Sequence, residues 1–407
     1  MLEPQSTVLF VILVVLFALL VWWIIVARRI AFKVGAACLA FLMAMSFGVL
    51  AVNKYFGYYQ TWGAAIADFS NSGPSSGPQV SSNSLLSGSH TGADKHAVYL
   101  RLAELQGYTL RLTISGKRSH ITRAVYVYLP PQYFQAAYKK YRFPVIELIH
   151  GQPGEPQDWI NVVGVQVTMD ELVNRGLAKP AVLVMPDANG GNRISLQCLN
   201  QVGGPQDLTY LAVDLPRDIA RVLRVQPPGP GWGVAGYSEG GFCAANMALR
   251  FRRSYGFAAV MSGYFSPAKN QLANPARLVS PFGRNLALRL ENTPLYEVRA
   301  LPAGAVIPQF WLGAGKNDKA DVTNAEYFWQ ELQLHQAQVP LVLTAGGLHT
   351  MTTWRAEVPP MLVWMTTNLA KTVFGLSRHH HASPLGASHH RRPGRHPARS
   401  SPSPAAG

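Results

Sequence analysis

Twenty consecutive apolar residues, Val8 to Ala27, leave the start of this chain few structural options. An unbroken run of that length matches a bilayer crossed as α-helix, about 30 Å at 1.5 Å per residue. Arg28, Arg29 and Lys33 follow, and Val34 to Val52 then adds nineteen residues whose only polar member is Ser46. A signal peptide would carry its basic residues ahead of the apolar run and a small-residue cleavage site soon after it. Here only Glu3 lies ahead, and no such site follows closely. The pattern predicts a two-helix membrane anchor over residues 1–52. The cationic loop belongs on the cytoplasmic side, which puts the rest of the chain on the extracytoplasmic side of the cell membrane. Tyr55, Tyr58, Tyr59 and Trp62 form an aromatic anchor for that outer edge.

Residues 53–94 read as a juxtamembrane segment followed by a Ser/Gly/Pro-rich linker, too poor in core-forming residues to pack and therefore a flexible tether. Residues 95–374 carry the pattern of one folded domain. Tyr108–Ile114 and Arg123–Leu129 alternate as strands and suit a hairpin at the flank of a larger sheet. After Phe143, short apolar runs alternate with helical stretches. Strands are expected at Val145–Ile149, Ala181–Met185, Trp232–Ala235, Phe257–Met261, Gln309–Leu312 and Val339–Leu343. Helices are expected at Val167–Arg175, Leu211–Val225, Gly241–Arg250, Asn324–Gln336 and Thr353–Leu369. Strands that are apolar on both faces, separated by helices, predict an α/β fold with a mostly parallel sheet covered on both sides. Residues 375–407 hold His379-His380-His381, His389-His390 and several Arg and Pro, and read as a disordered tail.

The formal charge of +15 raises nucleic acid as a partner. However, five arginines and no acids sit in the tail from Arg378 onward, and no dense basic stripe crosses the folded domain. The charge better suits work beside an anionic membrane, so the expected partners are the bilayer and a small or lipid-linked substrate, with no nucleic acid and no obligate protein partner. The three cysteines are too few for a thiolate metal cluster. Cys38 falls in the second apolar run. Cys198 and Cys243 both fall in the outer domain, where a disulfide between them would persist and pin a loop beside the nucleophile helix; two separate thiols are the alternative.

Gly236-Tyr237-Ser238-Glu239-Gly240 is the stretch with the clearest chemistry. Small residues around a serine, between a strand and a helix, allow a tight turn that lifts the hydroxyl and points the first helical N–H groups toward it. Ser238 is the candidate nucleophile. Of twelve histidines six lie in the tail, and His349, in a loop directly after the last strand, can reach across the strand ends as general base. His150, at the end of the first core strand, is better suited to shaping its loop. The orienting acid should fall between serine and histidine. Asp318 is the first choice because it lies nearer the carboxyl end of its strand; Asp321 is the alternative, with capping of the following helix as its competing use. Glu291 and Glu297 stand in reserve. The Glu239 and Gln152 backbone N–H groups are the candidate oxyanion hole. No HExxH array or His/Cys/Asp cluster calls for a metal, and nothing calls for a cofactor.

Several ordered motifs extend the pattern: Val127-Tyr128-Leu129-Pro130-Pro131, Pro144 through His150-Gly151, Val184-Met185-Pro186-Asp187, Gly236 to Gly240, Ser262-Gly263-Tyr264-Phe265, Gly315 to Asp318, and Gly346-Gly347-Leu348-His349 with Trp354 following. Over about residues 108–370 the chain resembles the putative esterase family, which includes esterase D-like enzymes and antigen 85-type mycolyltransferases. The resemblance implies an α/β-hydrolase fold, with Ser238, Asp318 and His349 as nucleophile, acid and base. It further implies attack on an acyl ester through an acyl-enzyme, with water or a sugar hydroxyl as acceptor. Hydrolysis of an ester, including one of a cell-envelope lipid, is the leading expectation. Acyl transfer to an envelope saccharide or lipid comes second, and an inactive envelope-binding scaffold third.

Overall fold

The computed structural model describes residues 2–69, 79–81, 103–191, 195–267, 281–302, 305–335, 337 and 339–381. Most of the expected linker and the tail beyond His381 lie outside the described residues. Three helices open the chain: α1 (Thr7–Val26), α2 (Ile30–Phe56) and the short α3 (Trp62–Phe69). The first two are long and apolar enough to cross a membrane, none of α1 is buried, and α2 is almost as open. They pack against each other as a hairpin, with Phe10 against Phe47 at 5.3 Å. Their free ends meet: Lys54 Nζ donates to Thr7 Oγ1 at 3.0 Å, and Trp62 Nε1 donates to the Leu2 carbonyl at 2.7 Å.

Among the described residues nine strands follow in chain order: β1 (Gln79–Ser81), β2 (Tyr108–Ser115), β3 (Thr122–Leu129), β4 (Val145–Ile149), β5 (Val182–Pro186), β6 (Gly229–Tyr237), β7 (Tyr255–Met261), β8 (Gln309–Gly315) and β9 (Leu341–Thr344). They form one sheet in the order β1-β2-β3-β5-β4-β6-β7-β8-β9. β2 and β3 make the expected antiparallel hairpin, and β3 joins β5 antiparallel. From β5 to β9 every pairing is parallel. This is the mixed, mostly parallel sheet of the α/β-hydrolase fold. β1 falls inside the stretch expected to be a tether, yet it pairs parallel with β2 and extends the edge.

Every residue of β4 and β5 is buried, because helices cover both faces of the sheet. One core layer packs Phe242, Met247, Phe310 and Phe328 with the helices Glu239–Arg250 and Lys319–Leu334. The other packs Leu148, Met169, Met361 and Met365 with the helices Val165–Asn174 and Met351–His381. Strand ends move by up to three residues from expectation, and three helix boundaries differ in ways that matter more. The segment expected as one helix over 211–225 winds through a wide π-type turn, Tyr210–Asp214, before the α-helix Leu215–Val222 begins with Pro216 in its first turn, where its missing N–H costs nothing. The last helix continues to His381, past the expected boundary at 374. The helix expected from Asn324 starts five residues earlier, at Lys319, and this shift decides the acid.

Candidate active site

The site forms where the parallel strands end. β6 stops at Tyr237, Ser238 takes φ 54° and ψ −121°, and a helix starts at Glu239. A serine held at positive φ is a strained position that the surrounding backbone must impose. Here the Ser238 N–H donates to the Met261 carbonyl at 2.9 Å, tying the turn to the end of β7. The flanking glycines are sterically required. A Cβ on Gly236 would strike the Gly240 carbonyl, and one on Gly240 would strike the carbonyl oxygens of Ile149 and His150. The first helical turn therefore lies directly on the end of β4. Its unpaired N–H groups carry the partial positive charge of a helix start beside the hydroxyl.

His349 lies in the loop after β9, and its Nε2 is 2.8 Å from Ser238 Oγ. Its Nδ1 is 2.7 Å from Asp321 Oδ2. A carboxylate partner on Nδ1 fixes the proton there, which leaves Nε2 to accept the serine proton. Burial disfavours the charged imidazole, but the hydrogen bond to Asp321, its charge and the nearby Asp318 charge outweigh this and raise the His349 pKa. Trp354 stands edge-on to the ring at 5.1 Å and limits its rotation.

The structure puts Asp321, not the first-choice Asp318, on His349. Asp318 is the N-cap of the helix Lys319–Leu334, where its Oδ1 accepts from the Ala320 and Asp321 N–H groups at 3.1 and 3.0 Å. With the helix starting at Lys319, Asp321 lies in its first turn, buried, with its carboxylate turned to the imidazole. The two aspartates have thus exchanged the uses the sequence suggested, because the cap is set by where the helix begins. Asp318, Asp321 and His349 present ligand-type atoms within 4.8 Å of one another. Each is already taken up in a cap or in the chain of hydrogen bonds that ends on Ser238. Among the reserve acids, the Glu291 carboxylate pairs with Arg250, and Glu297 belongs to the helix Pro294–Ala300.

Gln152 lines the same cavity as Ser238 and His349. Its side-chain carbonyl accepts from Asn189 Nδ2 at 2.7 Å, which holds the loop after β4 against the loop after β5. His150 is buried and braces that loop, with Nδ1 donating to the Gly151 carbonyl at 2.8 Å and Nε2 accepting from the Ala188 N–H at 3.1 Å. Burial holds its pKa below the ordinary value. The Glu239 carboxylate accepts from the Ser195 hydroxyl and from the Gln197 N–H. Burial pushes its pKa up to about 7, against the lowering effect of those two bonds. The segment carrying Ser195 and Gln197 is fastened by a Cys198–Cys243 disulfide to the helix that follows Ser238.

The cavity is small, about 80 Å³, and two of its walls come from one helix start: Met351 and Trp354. The opposite contribution was not foreseen from the sequence. Phe56 and Tyr58, at the outer end of α2, line the cavity together with Ser238 and His349. Arg355 holds them there by donating to the carbonyl oxygens of Gly57, Tyr58 and Val162. The aromatic cluster 55–62 was legible as a membrane-edge signal, but nothing in its spacing pointed to a residue three hundred positions away.

Comparison with known proteins bears on the family and the fold. The family model described as putative esterase matches residues 118–365. An uncharacterised protein of Corynebacterium glutamicum is 25% identical over 248 residues, covering 60% of this chain and 57% of that relative. The chain therefore spans just over half the length of the curated relative it matches. A solved ferulic acid esterase superposes with TM-score 0.55 at 23% identity, covering 65% of this chain and 99% of the other. An S-formylglutathione hydrolase from Agrobacterium tumefaciens gives TM-score 0.53 at 17% identity, with 65% and 96% covered. A fluorophosphonate-binding serine hydrolase of Staphylococcus aureus gives 0.52 at 16%, with 64% and 98% covered. At these identities the likeness is one of fold.

Proposed function

The chain belongs to the putative esterase family, and on that premise we propose that it is a membrane-anchored serine esterase that cleaves an acyl ester on the extracytoplasmic side. The observation that carries this reading is the relay from Asp321 Oδ2 through His349 to Ser238 Oγ, with legs of 2.7 and 2.8 Å, at a strained strand-to-helix turn. Ser238 is the nucleophile, His349 the general base, and Asp321 the group that holds the imidazole and favours its protonated form. The Ser238 hydroxyl attacks the ester carbonyl as its proton passes to His349 Nε2. The backbone N–H groups of Glu239 and Gln152 receive the negative charge that develops on the carbonyl oxygen. His349 then protonates the departing alcohol, leaving an acyl group on Ser238. Water, deprotonated by His349, attacks that acyl group; the acid leaves and the serine regains its proton.

The membrane assignment rests on the two exposed apolar helices and on Arg28, Arg29 and Lys33 in and just after their connection, which by the positive-inside rule belong to the cytoplasm. The test is incubation of the purified chain and its Ser238→Ala form with an envelope-lipid extract in isotopically labelled water. Serine-dependent release of labelled acid is the expected result. A serine-dependent acylated product without label would replace hydrolysis by acyl transfer, and a Ser238 that neither reacts with a fluorophosphonate nor turns over any ester would sink the enzyme reading.

A further inference from the structure

The end of a membrane helix is an unusual place to find the wall of a catalytic cavity. α2 has 27 residues. At 1.5 Å each it runs about 40 Å, roughly 10 Å more than the hydrocarbon of a bilayer, so its last turns stand at headgroup level. The segment beyond it is locked in place. Asn53 clamps Tyr59 with both halves of its amide, donating to the carbonyl at 2.9 Å and accepting from the N–H at 2.8 Å. Gln5 Nε2 donates to the same carbonyl at 3.2 Å, tying in the start of α1. Gly57, at φ 71°, turns the chain and packs so closely on Thr352 that a Cβ would clash with its hydroxyl. Arg355 completes the attachment to the hydrolase domain.

A cavity of about 80 Å³ admits an ester group and the first atoms on either side of it. It is far below the several hundred Å³ of a pocket that encloses a larger ligand. A long acyl chain must therefore extend beyond the cavity, whose lining includes Phe56 and Tyr58. Beyond them the surface stays apolar and open, with Tyr55 63%, Phe56 41%, Trp62 42% and Ile66 64% exposed. That is the composition of a membrane-interface belt, and it continues the lipid-facing surface of α2 into the mouth of the site.

We propose that Phe56 and Tyr58 are specificity-determining residues, selecting a long-chain ester whose acyl tail remains in the outer leaflet while only its ester group enters the cavity beside Ser238. This rests on the serine-esterase reading above. In this arrangement the anchor is part of the active site, and the substrate need not be extracted from the bilayer. The unfavourable transfer of each methylene into water is avoided.

The test uses the full chain in nanodiscs of phosphatidylglycerol and phosphatidylethanolamine, with methylumbelliferyl palmitate dissolved in the bilayer and methylumbelliferyl acetate in the water. The expected wild type prefers the palmitate. Phe56→Ala and Tyr58→Ala are each expected to lower the palmitate-to-acetate ratio of kcat/KM by about ten-fold, mostly through KM, the size of effect a lost apolar contact gives a specificity pocket. Phe56→Leu should restore most of the ratio. An unchanged ratio overturns the proposal, as does an equal loss on both esters, which would make the segment merely structural. A rise on both would identify it as a plug and overturn it equally. Fluorophosphonate labelling of Ser238 in the same samples separates the two readings. A labelled serine with no palmitate preference defeats only this inference, whereas an unlabelled, inactive wild type defeats the esterase reading beneath it.

Discussion

Ser238, Gln152 and His349 reach the cavity from the carboxyl ends of sheet strands, whereas Phe56 and Tyr58 reach it from the end of α2. The first wall is fixed by backbone that has no freedom. Gly236 and Gly240 allow the turn to lie against the end of β4, a disulfide ties the helix after Ser238 to a neighbouring loop, and a buried aspartate aims the imidazole. Among the described residues the second wall has no covalent tie; it is held by hydrogen bonds from Arg355 to the Gly57 and Tyr58 carbonyl oxygens, by the Asn53 clamp on Tyr59 and by apolar contact. Rigid geometry suits the groups that move protons, because a small misplacement there is expensive. On the proposed reading the second wall sorts substrates by apolar contact, which asks less of its exact geometry. The comparison predicts that changes in the first wall act on every ester alike, and that changes in the second act on long-chain esters in the bilayer.

The largest effect should come from Ser238→Ala, with kcat on both soluble and bilayer esters falling by at least about 10⁴-fold. A residual rate that favoured one ester class would break the comparison. Asp321→Asn should follow, with a loss of about 10³- to 10⁴-fold through the wrong imidazole tautomer. The pH profile adds a sign. His349 must be neutral to accept the proton, and its pKa is raised from the ordinary imidazole value, so activity falls with falling pH along a limb displaced upward from that value. Asp321→Asn removes the bond and charge that raise this pKa and leaves the burial that lowers it. The limb of the residual activity should move to lower pH; movement upward would remove Asp321 from its assigned role.

Next in size is the covalent tie. Cys198 and Cys243 close a loop with a sequence separation of 45. Replacing both by serine should cost about 2–4 kcal/mol of stability by denaturant unfolding, through the entropy the open loop regains in the unfolded chain. Arg355→Met belongs to the other wall. It releases the Gly57 and Tyr58 carbonyl oxygens, and the expected result is a several-fold fall in the bilayer-to-soluble ester ratio, with kcat on the soluble ester falling less. Equal losses on both would mean that the two walls are one mechanical unit.

The difference between the walls also explains what was readable in the sequence. Strand and helix periodicity, the glycines around Ser238 and the position of His349 after a strand are local signals, and the mostly parallel sheet and the serine–histidine pair follow from them. The Phe56–Tyr58 wall depends on docking between segments about three hundred residues apart in sequence, for which one chain's pattern carries no signal. β1 is similar: Gln79–Ser81 has a linker's composition, and only the open edge of β2 gives it a partner. The acid fell between these cases, since its candidates were visible and their division of labour depended on a helix start misplaced by five residues.

The smallest predicted effect tests that division directly. Asp318 and Asp321 are three residues apart and chemically identical, so the contrast between them isolates position. Asp318→Ala removes the cap, leaving the Ala320 and Asp321 N–H groups without their acceptor, and should cost about 1 kcal/mol of stability. Its charge is only a lesser contributor to the raised His349 pKa, so the acid limb should shift slightly downward and kcat at the alkaline plateau should change by less than about three-fold. Asn at 318 keeps a capping oxygen and loses the charge, and it should restore the stability while keeping the small pH shift. If Asp318→Asn instead lost activity on the scale of Asp321→Asn, the imidazole would be using the capping aspartate during turnover. The rigid wall would then contain a helix start that moves, and its difference from the lipid-facing wall would be one of degree.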